Sequence, residues 1–142
     1  AARGVYRLRA SEGVPDCTVV LQGSGVTMAF VQETLPRLIG EGVDLEVIYV
    51  ASPELFDLLP SSEKTSVFND ERARHAVGVT GFTLPTMYRW IRSDLGRAHT
   101  LHPFMRGHYL GSGAGEMVIH EAGLDGQGQY EGIRKYLDAI QK

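Results

Sequence analysis

One stretch of the sequence, residues 17–50, restricts the fold more than any other. It opens with the apolar run Cys17–Leu21, breaks at a Gly-Ser-Gly turn, continues with apolar residues at helical spacing, and closes with the apolar run Leu45–Val50. This order predicts a strand, a turn, a helix and a second strand. Such a βαβ unit almost always crosses over right-handed and places its two strands parallel in one sheet. The rest of the chain must extend that sheet or cover its faces.

The remaining segments continue the same pattern. Residues 74–80 read as a third strand, and residues 98–104 as a fourth, which Pro103 restricts to an edge or a strand end. A last amphipathic helix is predicted to start at Asp125 or Gly126. The fold class is therefore α/β: three layers (α/β/α) around a mostly parallel sheet of four or five strands. Residues 1–16 are interpreted as a linker from a preceding domain, and residues 17–142 as the domain.

Local signals in the helices are specific enough to test. Ser24 or Thr27 is predicted as the N-cap of the first helix, and Pro36 is expected to kink it or weaken its last turns. Ser52 is predicted to cap a short helix that has Pro53 at its first position. Gly40-Glu41-Gly42 is expected to end the first helix, with a glycine supplying the left-handed cap.

Composition excludes several classes of function. A chain of 142 residues forms one domain, and its net charge of −3 gives no basic surface for nucleic acid or an anionic membrane. No apolar run approaches the ~18 residues of a membrane span. The single cysteine, Cys17, is expected to be a small buried hydrophobe. A disulfide framework is thereby excluded, and a cytoplasmic location is expected.

The turn formed by Gly23, Ser24 and Gly25 is the first candidate binding site. Free N–H groups at the start of a helix attract phosphate or carboxylate. The dinucleotide fingerprint is incomplete, however, because Met28 occupies the place of its third glycine and no acidic residue follows Val50. We expect no dinucleotide site, and the turn remains a candidate for a small anion.

The sequence offers no catalytic constellation and no metal set. His99, His102 and His108 have no Cys or Asp at metal-ligand spacing beside them, and zinc normally takes three or four such ligands. His75 is expected to be a core histidine on a buried strand. No nucleophile elbow or phosphate-binding Walker loop occurs. We therefore predict no catalytic, cofactor-binding or metal-binding residue in this chain.

Several motifs together resemble the C-terminal domain of transketolase and its thiamine-diphosphate-dependent relatives. The order and spacing hold from residue 3 to residue 137, although Gly25 stands where transketolases usually have Glu. The matching segments are Arg3–Leu8, Val19–Gly25, Ala51–Asp57, Arg74–Val79, His108–Ala114 and Gly123–Asp125.

The resemblance implies a division of labour. In that family thiamine diphosphate and its divalent metal are held by the other two domains, which also carry the catalytic residues. The C-terminal domain contributes to dimer packing, and here the loop with His108, Gly111, Ser112 and Gly113 is the candidate for an interface. The parent enzyme would be a homodimer that transfers a two-carbon ketol unit between sugar phosphates.

Two alternatives stay open. The C-terminal domain of a homodimeric pyruvate dehydrogenase E1 component has a similar Tyr-x-Leu entry and a similar Leu-x-Gly-Ser-Gly turn, although the segment Glu54–Asp57 favours transketolase. The other alternative is a free-standing α/β module that binds a small anion or metabolite at residues 23–25.

Overall fold

The computed structural model describes residues 4–82, 84–102 and 125–140. Its sheet has four strands: β1 (Val5–Arg9), β2 (Cys17–Gln22), β3 (Leu45–Val50) and β4 (Ala76–Thr80). Their spatial order is β1-β3-β2-β4. Strands β2, β3 and β4 run parallel, and β1 pairs antiparallel with β3. The prediction of a mostly parallel α/β sheet is therefore confirmed.

The helices lie on both faces of this sheet. They are α1 (Ser24–Ala29), α2 (Leu35–Gly40), α3 (Pro53–Asp57), α4 (Ser61–Val67), α5 (Asp70–Arg74), α6 (Asp94–His99) and α7 (Gly126–Ile140). A π-helical turn, Phe30–Thr34, joins α1 to α2, and a 3₁₀ turn covers Leu84–Met87.

The π-helical turn is the distortion of the helix that was expected near Pro36. A proline inside a helix has no N–H to donate, and its ring clashes with the carbonyl four residues earlier. Here Pro36 falls in the first turn of α2, directly after residues 30–34 have widened into the π conformation. The wider turn lets the helix continue to Gly40, where Gly42 with φ 86° ends it in the predicted left-handed conformation.

Two clusters of buried side chains, one on each face of the sheet, form the core. The first lies between the sheet and helices α1, α2 and α7, and includes Val19, Leu21, Phe30, Leu38, Val47 and Leu137. The second lies on the opposite face and includes Val20, Ile48, Phe56, Met87, Trp90 and Ile91. Alternate residues of β2 thus point to opposite clusters, as expected for a central strand buried on both faces.

Polar contacts fix α7 on the first face. The Thr34 hydroxyl lies 3.0 Å from the carbonyl oxygen of Gly126 and 2.9 Å from Gln129 Oε1, and Gln129 Nε2 donates to the carbonyl of Val26 at 3.0 Å. Thr34 and Gln129 are both fully buried. Buried polar side chains need such partners, so this network determines where α7 docks.

Residues 5–9, which the sequence assigns to a linker, form the antiparallel edge strand β1 of the sheet. Asp44, just before β3, holds the loop after β1. It accepts hydrogen bonds from the backbone N–H groups of Glu12 (3.0 Å) and Gly13 (3.1 Å) and from Arg9 (3.0 Å). These bonds, that of Glu12 first, lower the pKa of Asp44. The role of residues 1–16 as an interdomain linker stays a prediction.

The predicted strand at residues 98–104 is wrong over most of the part that the structure describes. Residues 94–99 form α6, whose N-cap Ser93 accepts a hydrogen bond from the N–H of Gly96 at 2.9 Å. Among the described residues of this segment, 98–102, only Leu101 extends the sheet, through an isolated parallel bridge to Val79. The capping serine, with Asp94 in the first turn, stabilises helix there instead of strand.

The prediction for His75 is also wrong. Strand β4 starts at Ala76, and His75 is an exposed residue at the end of α5. Asn69 caps α5 by accepting a hydrogen bond from the Arg72 N–H at 2.9 Å. Arg74 and His75, which were predicted as the start of the strand, therefore form the end of this short helix. Cys17, by contrast, is fully buried as predicted, and burial raises the pKa of its thiol to about 12.

Candidate functional site

The carboxyl ends of the parallel strands form the first candidate site. The helix after β2 packs in the first core cluster, whereas the 3₁₀ turn after β4 contributes Met87 to the second. The chain therefore leaves these two neighbouring strands toward opposite faces. In open α/β sheets this arrangement makes a crevice at which ligands commonly bind. The turn at residues 23–25 lies at that position.

Gly23 is the residue that this turn requires. Its φ is 105°, a conformation that side chains rarely adopt, and a Cβ there would lie 3.3 Å from the backbone nitrogen of Gly81. Gly23 itself occupies the N-cap position, and no side chain caps the helix. The predicted caps are wrong: Ser24 lies inside α1 and is exposed, and the Thr27 hydroxyl donates back to the carbonyl of Gly23 at 2.7 Å.

The side chains of this crevice are neutral and bond to one another. Gln22 Oε1 accepts from the hydroxyls of Thr80 (2.9 Å) and Thr86 (3.0 Å). The backbone N–H of Phe82 donates to the Thr80 hydroxyl at 3.0 Å. None of these groups titrates near neutral pH, so these residues of the crevice offer hydrogen bonds and helix N–H groups and do not themselves act as a general acid or base.

A second cluster surrounds Glu46 at the opposite, amino end of the strands. Its carboxylate is almost fully buried and accepts from Arg72 Nε at 2.9 and 3.1 Å and from the Thr18 hydroxyl at 3.2 Å. Arg7 Nε lies 3.6 Å from Glu46 Oε2. The contacts tie β1 and α5 to the two central strands.

A cavity of about 340 Å³ opens beside Glu46, with Ser11, Asn69, Glu71 and His75 in its wall. Two carboxylates face one guanidinium here, so the wall has no excess positive charge for an anionic substrate. The Glu46 carboxylate is already bonded to Arg72 and Thr18. The cluster therefore resembles a structural ion pair more than an acid–base centre.

A second cavity, of about 540 Å³, lies over the second core cluster. Phe56 and Phe68 meet the Trp90 ring edge-on, each at 5.3 Å between ring centres. Arg89 lies 4.6 Å from the centre of the Trp90 ring and pairs with Asp57, which lowers the pKa of that carboxyl. Trp90 Nε1 is buried and has no hydrogen-bond partner within the described part of the chain.

The histidines and carboxylates of the described residues do not assemble a metal site: no group of three or more His, Cys, Asp or Glu side chains among them could hold an ion. His99 lies at the end of α6 with its Nδ1 2.9 Å from the carbonyl of Leu95. Burial lowers the pKa of His102. The predicted interface loop with His108, Gly111, Ser112 and Gly113 lies outside the described residues.

No family model matches this chain, and no curated protein sequence matches it either. Solved structures do match it. Transketolase from Leishmania mexicana superposes with a TM-score of 0.70 over 99% of this chain, at 17% identity. Pichia stipitis transketolase, solved with sedoheptulose 7-phosphate, gives 0.69 over 98% at 19% identity. Campylobacter jejuni transketolase gives 0.68 over 94% at 16% identity.

The chain has a transketolase-like fold. At these identities the similarity establishes the fold alone. The chain spans about a fifth of the length of each transketolase: 19% of the Leishmania protein and 18% of the other two. Among the helices of the described residues, none combines the length and apolar content needed to cross a bilayer.

Two features of the candidate sites were not predicted from the sequence. The Glu46–Arg72 pair is one of them, because Glu46 lies within an otherwise apolar run and its partner comes 26 residues later. A charged residue inside a strand of buried apolar residues is the signal that could have revealed it. The aromatic cavity around Trp90 has no local pattern, since its walls come from three separate segments.

Proposed function

We propose that this chain is the C-terminal domain of a thiamine-diphosphate-dependent enzyme of the transketolase type. The observation that carries the proposal is the overlap with transketolases along 99% of the chain. The order of sequence motifs from residue 3 to residue 137 supports the proposal that the chain forms the C-terminal end of such an enzyme. The complete enzyme transfers a two-carbon ketol unit between sugar phosphates in the cytoplasm.

The domain is proposed to be non-catalytic and to serve the packing of a homodimeric parent. Thiamine diphosphate acts together with a divalent metal, and its cation requires several oxygen ligands. Among the described residues, no group of three or more His, Cys, Asp or Glu side chains could hold an ion. The proposal that the cofactor, the metal and the catalysis belong to other domains rests on the resemblance to the C-terminal domain of transketolase.

The parent is proposed to be a transketolase rather than a pyruvate dehydrogenase E1 component. Each of the matched structures described above is a transketolase. The Glu54–Asp57 segment, the feature that favoured transketolase in the sequence, forms most of helix α3, with Ser52 as its cap at 3.2 Å from Leu55 N–H. The E1 component remains the alternative, and the assay below distinguishes it from transketolase.

The test compares this chain with the product of the complete reading frame that contains it. The longer product is expected to bind thiamine diphosphate with Mg²⁺ in a calorimetric titration and to transfer ketol units from xylulose 5-phosphate to ribose 5-phosphate. The 142-residue chain alone is expected to do neither. Binding of thiamine diphosphate by this chain alone would contradict its non-catalytic role. Decarboxylation of pyruvate by the longer product, without ketol transfer, would favour the E1 alternative.

A second candidate function is the binding of a small anion at Gly23, Ser24 and Gly25. The observation that favours it is the position of this turn where the chain leaves β2 and β4 toward opposite faces. Titration with inorganic phosphate to millimolar concentration, followed by the amide shifts of residues 24–26, tests it, with chloride at equal ionic strength as the control. Shifts that are the same in phosphate and chloride would eliminate this function.

A further inference from the structure

A row of exposed apolar side chains runs along the helix formed by α1, the π-helical turn and α2. Met28, Val31, Leu35 and Ile39 recur at spacings of three and four, so they share one side of the helix. We call these four residues the apolar flank. Met28 is 60% exposed and Val31 and Ile39 are each 41% exposed, while Leu35 is half-buried against the first core cluster. Single exposed apolar residues are common, but a continuous row of them marks a contact surface.

The other contacts of this helix show which way the flank faces. Its opposite side is occupied by α7: Thr34 meets Gly126, and the Arg37 guanidinium lies 3.6 Å from the centre of the Tyr130 ring. Helix α7 also packs against α6 and β4, at one end of the strand order. The apolar flank is therefore turned toward the other end of the sheet, where β1 is the edge strand.

Strand β1 extends the same surface. Tyr6 is the register partner of Tyr49, and directly opposed residues of an antiparallel pair point to the same face. Tyr49 packs against the first core cluster, as Leu35 does, and Tyr6 is 37% exposed. Among residues 4–82, 84–102 and 125–140, the helix in closest contact with β1 is α4, whose Val67 belongs to the second cluster on the opposite face.

The path of the backbone into β1 is fixed. The carbonyl of Gly4 accepts from the N–H groups of Ala51 and Ser52, both at 2.8 Å. Gly4 has φ 78°, and a Cβ there would lie 2.1 Å from the Ser52 carbonyl oxygen, so only glycine fits. In a longer polypeptide, a preceding domain would therefore be connected to this one through Gly4, at the start of the strand that carries Tyr6.

We infer that the apolar flank, together with Tyr6, is the surface on which a neighbouring domain of the same longer polypeptide docks. The inference rests on the proposed function, since about four-fifths of each matched transketolase lies outside this fold. The flank has no charged member, so the docking partner presents an apolar, uncharged surface to it.

Cysteine accessibility tests the inference without disrupting the surface. Met28→Cys and Ile39→Cys are each prepared in this chain and in the product of the complete reading frame. The matched control is Leu58→Cys, at the end of α3, where the native side chain is 80% exposed. Cys17 adds no background because it is fully buried. Labelling by a thiol reagent is followed by mass spectrometry of the peptides that contain residues 28, 39 and 58.

In this chain all three engineered cysteines are expected to react at the rate of an exposed thiol. In the longer protein, residues 28 and 39 are expected to react at least about tenfold more slowly, while residue 58 keeps its rate. Equal rates in the two proteins at residues 28 and 39 would overturn the inference. Protection that grows with the concentration of this chain alone would assign the surface to a second copy and would also overturn it. Binding of thiamine diphosphate by the unmodified longer protein tests the proposed function separately.

Discussion

Replacing Gly96 by alanine tests how closely helix α6 approaches the sheet. A Cβ at residue 96 would lie 2.2 Å from the carbonyl oxygen of Ala76, which starts β4, and 2.9 Å from a methyl carbon of Ile91. Contacts below 3.0 Å essentially never occur at real Cβ atoms. Because the carbonyl belongs to the backbone of the buried strand β4, α6 must move outward by about 1 Å to relieve the overlap.

The expected cost follows from the contacts that such a movement would strain. The N–H of Gly96 donates to its cap Ser93 at 2.9 Å, and its carbonyl accepts from the buried Thr100 hydroxyl at 2.7 Å. Overpacking of a core typically costs about 1–3 kcal/mol. Alanine returns up to about 1 kcal/mol through its higher helix propensity. We expect a net loss of about 2 kcal/mol in the free energy of unfolding, or about 4–8 °C in Tm.

The assay is urea unfolding of the 142-residue chain, followed by circular dichroism. Gly40→Ala is the matched control, since Gly40 is also helical and a Cβ there would meet nothing within 4 Å. This control is expected to gain up to about 1 kcal/mol. A Gly96→Ala variant as stable as the wild type, or more stable, would refute the close approach of α6 to β4.

Three further predictions concern titratable side chains. Hydrogen bonds lower the folded-state pKa of Asp44. The ionised carboxylate therefore stabilises the fold above its unfolded pKa, and this stabilisation is lost as pH falls through the folded pKa. Urea midpoints measured from pH 6 to pH 2 should fall less steeply in Asp44→Asn than in the wild type. The Cys17 thiol, with its pKa raised to about 12, should resist thiol reagents at pH 8 until the chain is unfolded, and stoichiometric labelling of the native chain would disprove this. Glu46→Gln should lower the free energy of unfolding by about 1–3 kcal/mol, because it leaves Arg72 without its carboxylate. The control Glu71→Gln, at an exposed residue beside the same cavity, should change it by less than about 0.5 kcal/mol. Equal effects of the two substitutions would exclude a structural ion pair.

The elements that the sequence predicted well are those with strong local signals. The βαβ unit of residues 17–50 forms as predicted, because its apolar runs are long enough to be buried on both faces. Ser52 caps α3, and α7 starts at Gly126 as expected. In each case the deciding signals lie within a few residues of one another along the chain, so they can be predicted from the local sequence.

The predictions that were wrong depended on choices between neighbouring elements. His75 lies outside β4 because Asn69 caps a short helix that ends just before it. Residues 94–99 became helix because Ser93 caps them, although the same letters also suit a strand. Ser24 is not the N-cap of α1, because Gly23, with its positive φ, is the N-cap residue and Ser24 is the first residue of the helix.

For the candidate site, the sequence located the glycine turn but not its surroundings. It could not show that Gln22 Oε1 is engaged by Thr80 and Thr86, which are 58 and 64 residues away along the chain. Nor could it bring Arg72 against the buried Glu46. Such pairs depend on strand order, and many strand orders are compatible with one set of strands.

By itself, the sequence determined that this protein is an α/β domain built on a parallel βαβ unit, because hydrophobic periodicity and glycine positions act locally. Only the tertiary structure decided that residues 5–9 close one edge of the sheet, that Leu101 forms a bridge to β4 at the other, and that an apolar flank stays exposed. These features depend on which surfaces meet when the elements pack. That choice is made by burial over the whole domain, which no short segment of the sequence encodes.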